Sequence, residues 1–156
     1  NYLINLKANL ARKPQGNDRD QVKAIYAGVC DLSIGNHYYY FKMLNNEEQK
    51  IWLEKATIVF PNQKDRGTHV NISGIALLKE SHREKSEKLL DFLVSQKAQG
   101  IYANDNNEFP VSPEVPLSDG VNKLAGGAKF DNIDLLKIAE NRKAVVNILN
   151  KINYDE

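Results

Sequence analysis

Cysteine is almost absent from this chain, because Cys30 is the only one among 156 residues. A single thiol cannot close an internal disulfide, and it cannot build a metal site from cysteines. The chain also has no large excess of one charge: it contains 21 Lys and Arg and 20 Asp and Glu, which gives a net charge of +1. A nearly neutral chain has no strong field to attract nucleic acid or an anionic membrane. We therefore expect no nucleic-acid partner.

Long apolar runs and the common catalytic motifs are missing as well. No apolar stretch approaches the ~20 residues that a helix needs to cross a bilayer. The sequence contains no G-x-x-x-x-G-K phosphate loop, no G-x-S-x-G elbow and no H-x-x-x-H zinc motif. Cys30 has no histidine at a recognisable catalytic spacing. These absences predict a protein that is not an enzyme.

The elements that the sequence does indicate follow an α/β order. Asn17 or Asp18 can cap a helix over residues 19–27, Gly28 ends it, and residues 31–34 read as a short strand. Such loop–helix–strand units are typical of an α/β sheet. Further strands are predicted at 57–60 and 70–77. Further helices are predicted at 47–55, at 82–94 with Ser81 as the cap, directly after Ser95, and at 133–152. Residues 3–10 are predicted to be extended and residues 112–130 to be irregular. The polar segment between the strands at 57–60 and 70–77 is either a hairpin connection or a crossing between two lobes.

The most distinctive stretch is Gly35-Asn36-His37-Tyr38-Tyr39-Tyr40, which holds three of the seven tyrosines. Adjacent aromatics usually supply packing surface, but strand ends are also where open α/β sheets place ligands. A phenolate is a hard anionic ligand that suits a hard cation such as ferric iron, and the cation must overcome a phenol pKa of about 10. Two adjacent tyrosines can share one ion at a helix start, whereas neighbours in a strand point to opposite faces.

The helix start near Asn17 offers a second place for a ligand. Its free backbone N–H groups could hold an anion. The commoner arrangement is that these groups simply meet the Asp18 side chain.

The sequence resembles the bacterial ferric iron-binding periplasmic proteins, which are the substrate-binding components of iron-uptake ABC transporters. The likeness is carried by the motifs Asn9-Leu10-Ala11-Arg12-Lys13-Pro14-Gln15-Gly16-Asn17-Asp18, Asn36-His37-Tyr38-Tyr39 and Ile58-Val59-Phe60-Pro61-Asn62, and by Arg66-Gly67-Thr68-His69-Val70-Asn71-Ile72-Ser73-Gly74. It implies the two-lobed, type II periplasmic binding protein fold. It also implies that Tyr38 and Tyr39 are ligands of Fe3+, bound alone or with a synergistic anion such as carbonate. The helix start near Asn17 would border the cleft or hold that anion, while His37 and Tyr40 would be neighbours of the iron rather than ligands.

The resemblance covers only the C-terminal half of a full family member, and the chain begins at Asn1 without a Met. We expect either that a leader was removed or that the chain is a piece of something longer. Residues 1–68 would lie in the C-terminal lobe, 69–118 in the N-terminal lobe, and 119–156 would return to the C-terminal lobe. Apolar surface would then be exposed unless a second chain or the missing N-terminal half covers it.

The resemblance further implies a periplasmic protein that delivers iron to an ABC-type permease in the membrane. The alternative is a binding protein for an anion or another small solute, with the tyrosines as a stacking wall. A weaker alternative is a structural fragment without retained activity.

Overall fold

The computed structural model describes residues 1–155, in which helices make up the regular structure. The seven α-helices are α1 Tyr2–Ala8, α2 Asp18–Tyr26, α3 His37–Leu44, α4 Arg83–Leu93, α5 Gln96–Asp105, α6 Asp119–Ala125 and α7 Leu135–Lys151, and a 3-10 helix covers Lys50–Glu54. None of these helices is both long enough and apolar enough to span a membrane.

Several predicted helices are confirmed because their capping residues act as the sequence indicated. The Asn17 side chain accepts hydrogen bonds from the backbone N–H groups of Arg19 and Asp20, which begins α2. The Asp20 carboxylate in turn accepts a hydrogen bond from the backbone N–H of Asn17, which completes a capping box. Ser95 caps α5 with a single bond, since its side chain accepts from the N–H of Ala98. The helices predicted at 82–94 and 133–152 are α4 and α7, although His82 rather than Ser81 lies at the start of α4.

Three local predictions are wrong. Residues 3–10 are not extended: residues 2–8 form α1, in which Leu3 and Leu6 lie at helical spacing and are half-buried. The segment 112–130 is not wholly irregular, since Val121 and Ala125 bury one face of α6. The helix predicted at 47–55 shortens to the 3-10 helix, which follows a turn at residues 47–49.

The predicted strands at 31–34, 57–60 and 70–77 do not form within residues 1–155. The described chain has one isolated parallel bridge, between Thr68 and Phe130, and no strand. A strand exists only where a second backbone pairs with it. Segments 57–60 and 70–77 have no backbone hydrogen bonds to other described residues, so the sequence pattern for strands is present without its partner.

The connection after residue 60 runs against residues 129–131 instead of closing a hairpin. The Thr68 N–H donates to the Lys129 carbonyl at 2.9 Å, and the Asp131 N–H donates to the Thr68 carbonyl at 2.8 Å. Gly67 makes this approach possible, because its φ of +92° favours glycine and an added Cβ would lie 2.7 Å from the Lys129 carbonyl oxygen. The predicted division of the chain at residues 68 and 118 stays a prediction.

The main core lies between α3 and α6. Phe41 of α3 packs with Val121 and Ala125 of α6, and Tyr40, Phe60, Phe109, Leu117 and Ala128 surround this cluster. Helix α3 also contacts α2 and the 3-10 helix. The helix that carries the tyrosines is therefore held by contacts with three other helices.

Candidate metal centre

The start of α3 is tied to the start of α2 through one carboxylate. The Asp18 Oδ1 accepts a hydrogen bond from the backbone N–H of Asn36 at 2.9 Å. Asn36 is the residue that precedes α3, and its own side chain does not cap the helix. Gly35 leaves room for Asp18, since an added Cβ would lie 3.2 Å from Oδ1. Asp18 thus sets where the first turn of α3 begins.

Tyr38 and Tyr39 lie side by side on that first turn. Their ring centroids are 4.6 Å apart and the ring planes are inclined by 43°. Both side chains are half-buried. Tyr40 differs, because its ring packs against the core cluster and meets Phe41 edge-on at 5.6 Å. The structure therefore separates a pair of adjacent phenols from a third that serves packing.

Cations and carboxylates both surround the phenol pair. The Arg19 guanidinium carbon lies 5.6 Å from the centroid of the Tyr39 ring, and the Lys42 Nζ lies 5.5 Å from that of Tyr38. The pKa of Tyr38 is nevertheless raised above its ordinary value of 10.0. The main cause is partial removal of the phenol from water, followed by the polar contact with Tyr39 and by repulsion from Asp18 and Glu108. The raised pKa favours the neutral form of the Tyr38 phenol.

His37 joins the start of α3 to the loop after α5. Its Nε2 lies 2.8 Å from the Asn107 carbonyl oxygen, and because a carbonyl only accepts, Nε2 carries the proton and donates it. The ring also lies 4.6 Å from the centroid of Phe109. Burial lowers the pKa of His37 below its ordinary 6.5, against the opposing effects of the Asn107 bond and of Glu108. The imidazole is therefore a neutral structural link beside the tyrosines.

The side-chain oxygen of Asn17 is occupied by the cap of α2. It accepts from the N–H of Arg19 at 2.9 Å and from that of Asp20 at 3.3 Å. Its neighbour Asp18 makes the bond to the start of α3, so Asn17 and the tyrosines belong to one joint between two helices. The side-chain nitrogen of Asn17 takes no part in the cap.

Sequence reasoning missed four residues around the pair, namely Arg19, Lys42, Asn107 and Glu108. Lys42 follows Tyr38 by four positions, a spacing that brings side chains together on a helix, so the sequence did contain a signal for it. Asn107 and Glu108 gave no signal, because they reach α3 only through the folded loop. Within residues 1–155, including this site, no three His, Cys, Asp or Glu side chains gather in a group able to hold a metal ion.

Comparison with known proteins shows that the chain matches one protein family over most of its length. Residues 9–141 match the family described as bacterial extracellular solute-binding protein. Iron uptake protein A1 of Synechocystis is 39% identical over 150 residues, which are 94% of this chain and 41% of that protein.

Solved structures agree over nearly the whole chain. The crystal structure of the apo ferric ion-binding protein A of Pasteurella haemolytica superposes with a TM-score of 0.92 at 49% identity, covering 99% of this chain and 49% of that one. The Trichodesmium protein IdiA (FutA), solved with iron and citrate ligands, gives a TM-score of 0.85 at 34% identity, covering 94% and 47%. The chain thus spans about half the length of the proteins it matches. The predicted fold is confirmed for that half: it is part of a two-lobed, type II binding-protein fold.

Proposed function

The chain belongs to the bacterial extracellular solute-binding proteins, and on that premise we propose that it binds ferric iron for uptake, with the phenolates of Tyr38 and Tyr39 as ligands. The proposal is supported by relatives named as iron uptake and ferric iron-binding proteins. The observation that carries it is the contact between the two phenol rings on the first turn of α3.

The chemistry of the pair suits a trivalent cation as its substrate. Phenolate oxygens are hard donors, and ferric iron is a hard, highly charged acceptor. Binding must remove the phenol protons, and the raised pKa of Tyr38 adds to that cost. The cationic groups of Arg19 and Lys42 lie 5.6 and 5.5 Å from the centroids of the two rings. The iron itself must supply the attraction that removes the protons, so the proposed site is selective for highly charged cations.

An anion completes the proposed site. One relative was solved with iron and citrate ligands, and carbonate is the smaller alternative. Asn17 is the proposed neighbour of this anion. Because its oxygen caps α2, its side-chain nitrogen is the group that would meet the anion.

The remaining parts of the proposal follow from the family. We place the protein in the periplasm, where it hands iron to a membrane permease of the ABC type. It carries out no catalytic step. The first half of the two-lobed fold, from the same or another chain, supplies the other ligands.

Equilibrium dialysis against ferric citrate, and in parallel against citrate alone, tests this function. We expect one iron retained per chain and no citrate retained without iron. Tyr38→Phe and Tyr39→Phe should each weaken iron retention by about tenfold or more, which corresponds to about 1.4 kcal/mol. Tyr40→Phe is the matched control, since its ring packs on the core. Equal retention of citrate with and without iron would favour the anion-binding alternative.

A further inference from the structure

Two cationic side chains beside the tyrosine pair take no part in an ion pair. Four ion pairs form within residues 1–155, and none of them includes Arg19 or Lys42. Both residues are nevertheless half-buried, whereas the paired cations of α4 are exposed to solvent. Partial burial of an unpaired charge is costly, so each of these two cations needs a compensating contact.

A tyrosine ring provides the compensating contact for each cation. The Arg19 guanidinium carbon lies over the ring of Tyr39, 5.6 Å from its centroid, and the Lys42 Nζ lies over that of Tyr38 at 5.5 Å. Both distances fall within the ~6 Å over which a cation is attracted to the electron-rich face of an aromatic ring. The two rings also contact each other. Each ring therefore has one cation and one phenol as neighbours.

The two cations differ in what they can hold in place. Lys42 lies four positions after Tyr38 on the same helix, so it moves together with the ring that it contacts. Arg19 belongs to α2 and reaches Tyr39 from a different helix. The Arg19 contact can therefore fix a ring of the pair relative to α2, and the Lys42 contact cannot.

The backbone from which Arg19 extends is itself held. Its N–H donates to the side-chain oxygen of Asn17 at 2.9 Å, as part of the cap of α2. The residue before it, Asp18, accepts the hydrogen bond from the backbone N–H of Asn36 at the start of α3. The planar guanidinium can also stack on an aromatic face, which the ammonium group of a lysine cannot do. Arg19 is thus a rigidly based side chain with the right shape to hold a ring.

Taking the proposed function as its premise, we propose that Arg19 is a positioning residue for the metal centre: its guanidinium holds the Tyr39 ring against the Tyr38 ring before iron arrives. A side chain that is free to change rotamer must be ordered when it binds a ligand, and this cost lowers the affinity. Arg19 removes part of that cost in advance. The role requires no contact between Arg19 and the iron.

NMR of the iron-free chain tests the positioning directly. The couplings between the α- and β-protons of Tyr39 report whether its side chain occupies one staggered rotamer or several. We expect one rotamer in the wild-type chain, averaging over several in Arg19→Gln, and an intermediate result in Arg19→Lys, which keeps the charge without the planar group. Lys42→Gln removes the same charge from the same pair and should leave the Tyr39 couplings unchanged. Circular dichroism checks that each variant keeps its helical content.

Retention of iron in equilibrium dialysis against ferric citrate tests the consequence for binding. Arg19→Gln should weaken retention by about two- to fivefold, which corresponds to the loss of one cation–π contact. Lys42→Gln should weaken it by at most about twofold, because side chains four positions apart on one helix contribute little. The two variants carry the same net charge, so the comparison separates positioning from simple electrostatics.

Three results would overturn the proposal. One is a Tyr39 side chain that already samples several rotamers in the wild-type chain. Another is an Arg19→Gln variant whose Tyr39 couplings match those of the wild type. The third is an equal loss of iron retention in Arg19→Gln and Lys42→Gln, which would assign the effect to charge alone. The rotamer measurement involves no iron, so a chain in which Arg19 orders Tyr39 but which retains no iron would contradict the proposed function and not this inference.

Discussion

His37 is held at the start of α3 by one hydrogen bond and by aromatic neighbours. Its Nε2–H donates to the Asn107 carbonyl, and its ring lies close to those of Phe41, Phe60 and Phe109. The resemblance to iron-binding proteins implied that His37 was a neighbour of the iron and not a ligand. Its bond to Asn107 leaves Nε2 unavailable to a metal ion.

The lowered pKa of His37 predicts that stability falls in mild acid. As the pH drops through about 6.5, the unfolded chain takes up a proton that the folded chain resists, so the free energy of unfolding decreases. His37→Gln keeps an N–H donor but does not titrate, and should lose this part of the pH dependence. Urea unfolding of both chains at neutral pH and at about pH 5 measures the difference. Parallel pH profiles for the two would contradict the assignment.

At the scale of elements, the joint between α2 and α3 positions the tyrosines. Asp18→Ala removes the acceptor for the half-buried Asn36 N–H, and we expect the free energy of unfolding to fall by about 1–2 kcal/mol. Asp18→Asn keeps an oxygen acceptor and should cost less. Chemical denaturation of the two variants compares them directly. An equal loss of unfolding free energy in the two variants would show that the charge of Asp18, and not its hydrogen bond to Asn36, stabilises the contact between α2 and α3.

Local sequence signals predicted α2, α4, α5 and α7 but missed α1 and α6, and none of the predicted strands forms among the described residues. The capping box at Asn17 and the cap at Ser95 act within a few residues, so the chain specifies α2 and α5 by itself. Strands depend on partners distant in sequence, and the segment 70–77 has none among the described residues. The adjacency of Tyr38 and Tyr39 was visible in the sequence. The link from Asp18 to Asn36 was not, because it joins residues that meet only after α2 and α3 have packed.

At the scale of the whole molecule, binding of ferric iron should be coupled to the release of protons. Two phenols must ionise, and each released proton lowers the affinity about tenfold per pH unit as the solution becomes more acidic. We expect a slope of about two protons for the wild-type chain and for Tyr40→Phe, but about one for Tyr38→Phe. Competition with a chelator of known proton affinity, repeated across pH, gives this slope. An affinity independent of pH would exclude phenolate ligands.

The measurement that tests the central claim most directly is a titration with chelated ferric iron followed by visible absorption. It is run on this chain alone and together with the unmatched half of the Pasteurella haemolytica protein. Phenolate coordination predicts a charge-transfer band that saturates at one iron per chain, weakens in Tyr38→Phe and in Tyr39→Phe, and persists in Tyr40→Phe. A colourless sample in both settings, or a band that survives the loss of both Tyr38 and Tyr39, would contradict the assignment of this pair as the iron ligands.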